Sequence, residues 1–155
     1  MSDVKKKLEN FEKALVKLKD GTKQYDSSND LTRDGLIQRF EFTFELAWKT
    51  LKIIFEEEGV LGLNSPKLVL KEAYSADIIQ DQSLWLNMLS DRNATSHIYS
   101  ESLAIEICDR IINCYEMEFE RVGIIIRERL VIEHQIIALI SKTSSCIQSN
   151  MFNWI

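Results

Sequence analysis

A single proline and five glycines among 155 residues leave few of the turn positions that a β-sandwich or barrel needs, which excludes that architecture as the first expectation. The three cysteines, Cys108, Cys114 and Cys146, are odd in number and lack C-x-x-C spacing. Neither a disulfide framework nor a zinc site is therefore expected, and buried free thiols are the default. No stretch reaches the roughly 18 uninterrupted apolar residues of a spanning helix. Residues 123 to 140 come closest and are broken by Arg127, Glu128, Arg129 and Glu133. The basic start, Met1 to Lys7, is followed by no apolar run, so no secretory signal is read there and a cytoplasmic location is expected.

Cationic charge is also scarce. A formal net charge of −5 argues against a general nucleic-acid binder, and no DNA partner is expected, because phosphate affinity comes chiefly from Lys and Arg. The charge is uneven, however. Residues 1 to 24 hold seven lysines against four acidic residues, whereas residues 101 to 122 hold two arginines against six. Any RNA site would lean on the first helix. Lys5, Lys6, Lys7, Lys13, Lys17 and Lys19 read first as a solvated face and second as a guide for RNA or a nucleotide.

What is present is helix-forming. A 45% hydrophobic composition supplies one core, and long stretches rich in Leu, Ile, Glu and Lys suit helices. Val4, Leu8, Phe11, Leu15 and Leu18 recur at three- and four-residue steps and predict a first helix ending near Asp20-Gly21. Leu36, Phe40, Phe44, Ala47, Leu51 and Ile54 predict the longest helix, closing at Glu56-Glu57-Glu58-Gly59. Phe42, Trp48 and Phe55 fall off that stripe, which points to a central position or an oligomer interface. Ser65-Pro66 starts a shorter helix, another spans about Gln82 to Thr95, and Ser100 caps one whose core face reads Ala104, Ile107, Ile111, Tyr115, Phe119 and Val122. The expectation is an all-α antiparallel bundle of about five helices over residues 1–122. Residues 123–155 form an apolar extension of poor periodicity: a continuation of the last helix, a docking segment or an unstructured appendage.

The polar stretch Asp91 to Tyr99, where a bundle helix gives way to a connection, is the best site candidate. Its Arg92 and His97 share a spacing with Arg129 and His134, so the spacing alone does not decide. The surroundings do: Arg92 is followed by polar Asn93 and His97 by Tyr99, whereas Arg129 precedes Leu130 and Val131. On a regular helix five residues turn the chain by about 500°, leaving Arg92 and His97 about 140° apart. Either the helix ends between them or two protomers combine. Asn93, Thr95 and Ser96 are poor helix formers and favour an end there. Phe40, Phe44 and Trp48, at helical spacing, read as packing rather than base-stacking residues, and Glu56 to Glu58 as a solvated helix end with no companion ligands for a metal.

The arrangement R-N-x-x-x-H-x-Y at Arg92, Asn93, His97 and Tyr99 lies between an aromatic-rich helix (Phe40 to Lys49) and a final long helix. In this it resembles the HepT-like proteins of the HEPN superfamily over about residues 3 to 122. The resemblance implies a helical homodimer encoded beside a minimal nucleotidyltransferase. It further implies a metal-independent endoribonuclease toxin with RNA as substrate and no cofactor. Arg92 and His97 would be catalytic, Asn93 supporting, and Tyr99 adenylylated by the partner enzyme to silence the toxin. Two alternatives remain open: a non-catalytic substrate- or nucleotide-binding subunit of that nucleotidyltransferase, and a structural helical dimer.

Overall fold

The structure, a computed structural model, describes residues 2–97 and 100–152, and the side chains of residues 3–97 and 100–148. The chain separates into two compact units, one reaching Gly123 and one starting at Ile124. Helix α1 spans Ser2–Gln24, α2 Asp30–Glu57, α3 Pro66–Ser75, α4 Gln82–Thr95 and α5 Glu101–Arg110; a π-helical turn, Ile111–Tyr115, then leads into α6, Glu116–Phe152. Among the described residues there is no strand, and no helix is long and apolar enough to cross a membrane.

The helix boundaries follow from local chemistry. Asn29 accepts from the backbone N–H groups of Leu31 and Thr32, and Ser65, Asp81 and Ser100 cap α3, α4 and α5 in the same way. Helix α2 ends in a Schellman turn: Val60 N–H donates to Phe55 O at 2.9 Å and Gly59 N–H to Glu56 O at 3.1 Å. That turn needs the left-handed backbone of Gly59, φ 87°.

Helix α1 runs past the expected stop at Gly21 to Gln24. Packing explains the difference. A Cβ at Gly21 would come within 3.2 Å of Arg39 Cδ, and the Arg39 guanidinium donates to Lys17 O at 2.6 Å. The glycine admits a side chain from α2, and tertiary contact overrides the roughly 1 kcal/mol propensity cost of glycine in a helix.

Helix α2 packs against α1, α3, α4 and α5, the central position that its off-stripe aromatics suggested. Phe55 is buried with the main stripe, whereas Phe42 remains 58% exposed. Thr43 and Thr50 are buried because their hydroxyls donate to the carbonyls of Arg39 and Leu46, each at 2.7 Å.

The core of the first unit is aromatic. Phe40 stacks on Tyr115 at 5.4 Å, and Phe119 meets Trp85 edge-on at 5.6 Å and Phe11 at 6.2 Å. Trp85 Nε1 donates to Glu118 Oε1 at 2.8 Å, and Arg121 donates to both oxygens of that carboxylate. The π-helical turn accounts for the stripe Ile107, Ile111, Tyr115 and Phe119. Steps of four drift by about 40° each on a regular helix, and a turn closed by Glu116 N–H on Ile111 O takes up that drift. The thiols depart from expectation: Cys108 is buried, but Cys114 faces outward from the π turn and Cys146 lies on the exposed surface of α6.

Phe119→Ala, which removes the ring shared by Trp85, Phe40 and Phe11, is expected to lower the unfolding free energy by about 3–5 kcal/mol. Urea unfolding followed by circular dichroism reads this; a loss under about 1 kcal/mol would refute the packing described.

Candidate active site

Helix α4 ends at Thr95, between the two residues singled out for chemistry. Arg92 sits in its last turn and His97 in the turn that follows. The end is drawn in by short-range bonds: Thr95 Oγ1 donates to Arg92 O at 2.6 Å and His97 N–H to Ala94 O at 2.9 Å. His97 and Asn93 are exposed and Arg92 half-buried. Tyr99 lies outside the described residues. Among the described residues no hydrogen bond or ion pair joins Arg92 to His97, so within one chain the two side chains are brought to the same helix end but not into contact.

Arg92 faces α2. Its Nη2 lies 3.8 Å from Glu45 Oε2, the same oxygen that accepts from Trp48 Nε1 at 3.0 Å, while Lys49 Nζ reaches Glu45 Oε1 at 2.9 Å. Lys49 also lies 5.8 Å from the centre of the Trp48 ring, within cation–π range. Burial pushes the Glu45 carboxyl up, but the hydrogen bonds from Lys49 and Trp48 and the charges of Lys49 and Arg92 outweigh it and hold the carboxyl below its ordinary range. One carboxylate thus faces two cations, and the corner keeps a positive excess that suits a phosphate.

Comparison with known proteins bears on this arrangement. The model of the family "Nucleotidyltransferase substrate binding protein like" matches residues 6–124. The chain belongs to this family. It is 29% identical over 109 residues to the probable ribonuclease HepT of Haemophilus influenzae, covering 65% of this chain and 74% of that protein. A crystal structure of a Thermus thermophilus protein superposes with a TM-score of 0.68 at 39% identity, covering 76% of this chain and 98% of the other. A solved structure from Haemophilus influenzae, described as revealing the fold of a substrate binding domain of a nucleotidyltransferase, superposes with a TM-score of 0.55 at 26% identity, covering 81% of this chain and 98% of the other.

Within this nucleotidyltransferase substrate-binding-like bundle, the neighbour of Arg92 fixes the helix end. Asp91, its side chain only 13% exposed, accepts from Arg110 Nε at 2.7 Å and Nη2 at 2.9 Å, and from the Tyr115 hydroxyl at 2.6 Å. The hydrogen bonds and charge of Asp91 raise the Arg110 guanidinium further above its usual value. Burial, then the Asp91 hydrogen bond and charge, raise the Tyr115 phenol. Sequence reasoning gave no role to Asp91, Glu45 or Lys49. The available signal was the acid–base pair Glu45 and Lys49 at i,i+4 on the aromatic-rich helix; Asp91 with Arg110 is a contact 19 residues apart and leaves no such mark.

The half-buried phenol of Tyr25 is raised to about 12, first by burial and then by the charges of Cys108 and Asp109. Burial likewise lifts the Cys108 thiol to about 11, which makes it unreactive. A phenol whose folded pKa exceeds the unfolded value of about 10 stabilises the fold fully below about pH 10 and loses that contribution as pH rises through the folded value. The urea midpoint should therefore fall as pH rises from about 9, first through the Cys108 thiol and then through the folded Tyr25 value of about 12, and Tyr25→Phe/Tyr115→Phe should flatten the part above about pH 10. An unchanged slope in the double variant would contradict the assignment.

Proposed function

We propose that the chain is a metal-independent endoribonuclease of the HepT type, the toxin half of a toxin–antitoxin pair, acting as a homodimer. The observation that carries this reading is the end of α4 between Arg92 and His97. It puts an exposed imidazole in the turn that follows the helix end bearing the guanidinium, which is held in a corner with positive excess, in a chain related to a protein named as a probable ribonuclease.

In the proposed reaction the imidazole of His97 accepts the proton of an RNA 2′-hydroxyl. The freed oxygen attacks the adjacent phosphorus, the bond to the 5′-oxygen breaks, and that oxygen leaves protonated, giving a 2′,3′-cyclic phosphate and a 5′-hydroxyl. Arg92 stabilises the charge gathered on the equatorial oxygens with two N–H donors. Glu45 orients Arg92, and Asn93 supports either partner. One histidine cannot be base and leaving-group acid at once. A second copy of the chain would supply the second His97, which is why the site is assigned to a dimer interface.

Control is proposed to come from a minimal nucleotidyltransferase. The Tyr99 oxygen attacks the α-phosphorus of ATP, pyrophosphate leaves, and an adenylyl group two residues from His97 blocks RNA by occupancy and repulsion. A second reading, a non-catalytic subunit that presents a substrate to the nucleotidyltransferase, is favoured by the family description and by that of the Haemophilus influenzae structure.

Arg92→Ala and His97→Ala are each expected to lower RNA cleavage by about 10²–10⁴-fold with the helical signal unchanged. Cleavage that survives both substitutions would remove these residues from the mechanism. Intact-mass analysis after incubation with the cognate nucleotidyltransferase and ATP should show an adenylyl adduct in the wild type and none in Tyr99→Phe; the same adduct in both would move the modification elsewhere.

A further inference from the structure

Away from α4, a groove runs between α1 and α2. Three cavities of about 180, 230 and 340 Å³ follow one another along it. Arg39 lines the first and second, and Ala14, Lys17 and Phe42 line the second and third, so they form one track. At Gly35 a side chain would enter open space, so the missing Cβ leaves the groove wider there. In a chain of net charge −5, no carboxylate lines any of the three, and Lys13, Lys17 and Arg39 do.

The lysines of α1 are thereby sorted. Lys19 is tied to Glu120 at 2.6 Å, whereas Lys13 and Lys17 make no ion pair among the described residues. Phe42 stands out in a helix whose other phenylalanines, Phe40, Phe44 and Phe55, are buried. Gln38, Phe42, Glu45 and Lys49 recur at steps of four, three and four and so share one stripe of α2. The exposed ring therefore lies one turn from Glu45, the residue that faces Arg92.

We infer that this groove is a track for single-stranded RNA, in which Lys13, Lys17 and Arg39 neutralise phosphates and Phe42 stacks on a base. A cationic groove with an exposed aromatic is what sequence-tolerant single-strand binding uses, and the track leads along α2 to the corner that holds Arg92. The inference rests on the reading of RNA as substrate, and adds where the strand lies away from the reacting phosphate.

The test is fluorescence anisotropy of the full chain with a labelled, unstructured RNA of about twelve nucleotides, within the site sizes usual for single-strand binders. The RNA carries 2′-O-methyl groups to prevent cleavage, and the buffer contains EDTA. Lys13→Gln/Lys17→Gln and Phe42→Ala should each weaken binding by about tenfold, and the lysine pair should reduce the slope of log K against log salt by about 1.4. Lys67→Gln/Lys71→Gln, on α3, should leave both unchanged. Binding by the groove variants equal to wild type overturns the track. So does sedimentation showing that Phe42→Ala splits a wild-type dimer, which would make the groove a subunit seam. Failure of the nuclease reading is separable: an unmethylated RNA left intact by wild type, yet bound through the groove, removes catalysis and keeps the track.

Discussion

The carboxylate of Asp91 fixes where the candidate site can be. It is nearly buried, it sits on α4 one residue before Arg92, and it is held by two N–H groups of Arg110 and the hydroxyl of Tyr115. Charge-assisted bidentate pairing of this kind has a narrow geometry, so the last turn of α4 is tied to the helix that starts at Glu101. Tyr115 closes the π-helical turn and stacks on Phe40, which couples the same carboxylate to the aromatic core. Removing one member of such a cluster leaves a buried polar group without its partner, which costs far more than the hydrogen bond itself contributes.

On that anchor rests an unusual distribution of charge. Most acidic residues of the second half lie on α5 and α6; Asp91 on α4 and Glu118 on α6 are consumed in pairs with Arg110 and Arg121. Unspent positive charge is found elsewhere, beside Glu45 and along the α1–α2 groove. A negative net charge thus coexists with a local surface suited to phosphate, because local fields within about a Debye length of 10 Å, not the net charge, decide what approaches a site.

Most of the bundle was legible in the sequence because its helices carry single apolar stripes and strong caps; α4 ends at Thr95 as the poor helix formers there implied. The places that escaped are those set by contacts distant in sequence. Gly21 read as a stop but serves as a slot for Arg39. The π turn left a faint mark, a stripe from Ile107 to Phe119 that advances only by fours. At the site, Arg92 and His97 were visible as a polar segment at a helix end, whereas Glu45, which faces Arg92 across two helices, was visible only as a residue of an aromatic stretch. The extension is the clearest case: Ile132, Ile136, Leu139 and Ile140 are helical yet 50–62% exposed, so no packing period was there to be read.

The proposed activity is transesterification of RNA by the Arg92 and His97 side chains of a dimer, without a bound metal. Its most direct measurement is the chemistry of the ends: the purified protein with an unstructured RNA in EDTA, the products resolved by mass. The expected products are fragments ending in 2′,3′-cyclic phosphate and beginning with 5′-hydroxyl. Fragments with 3′-hydroxyl and 5′-phosphate ends, or RNA left intact by a protein whose Tyr99 is unmodified, would contradict it.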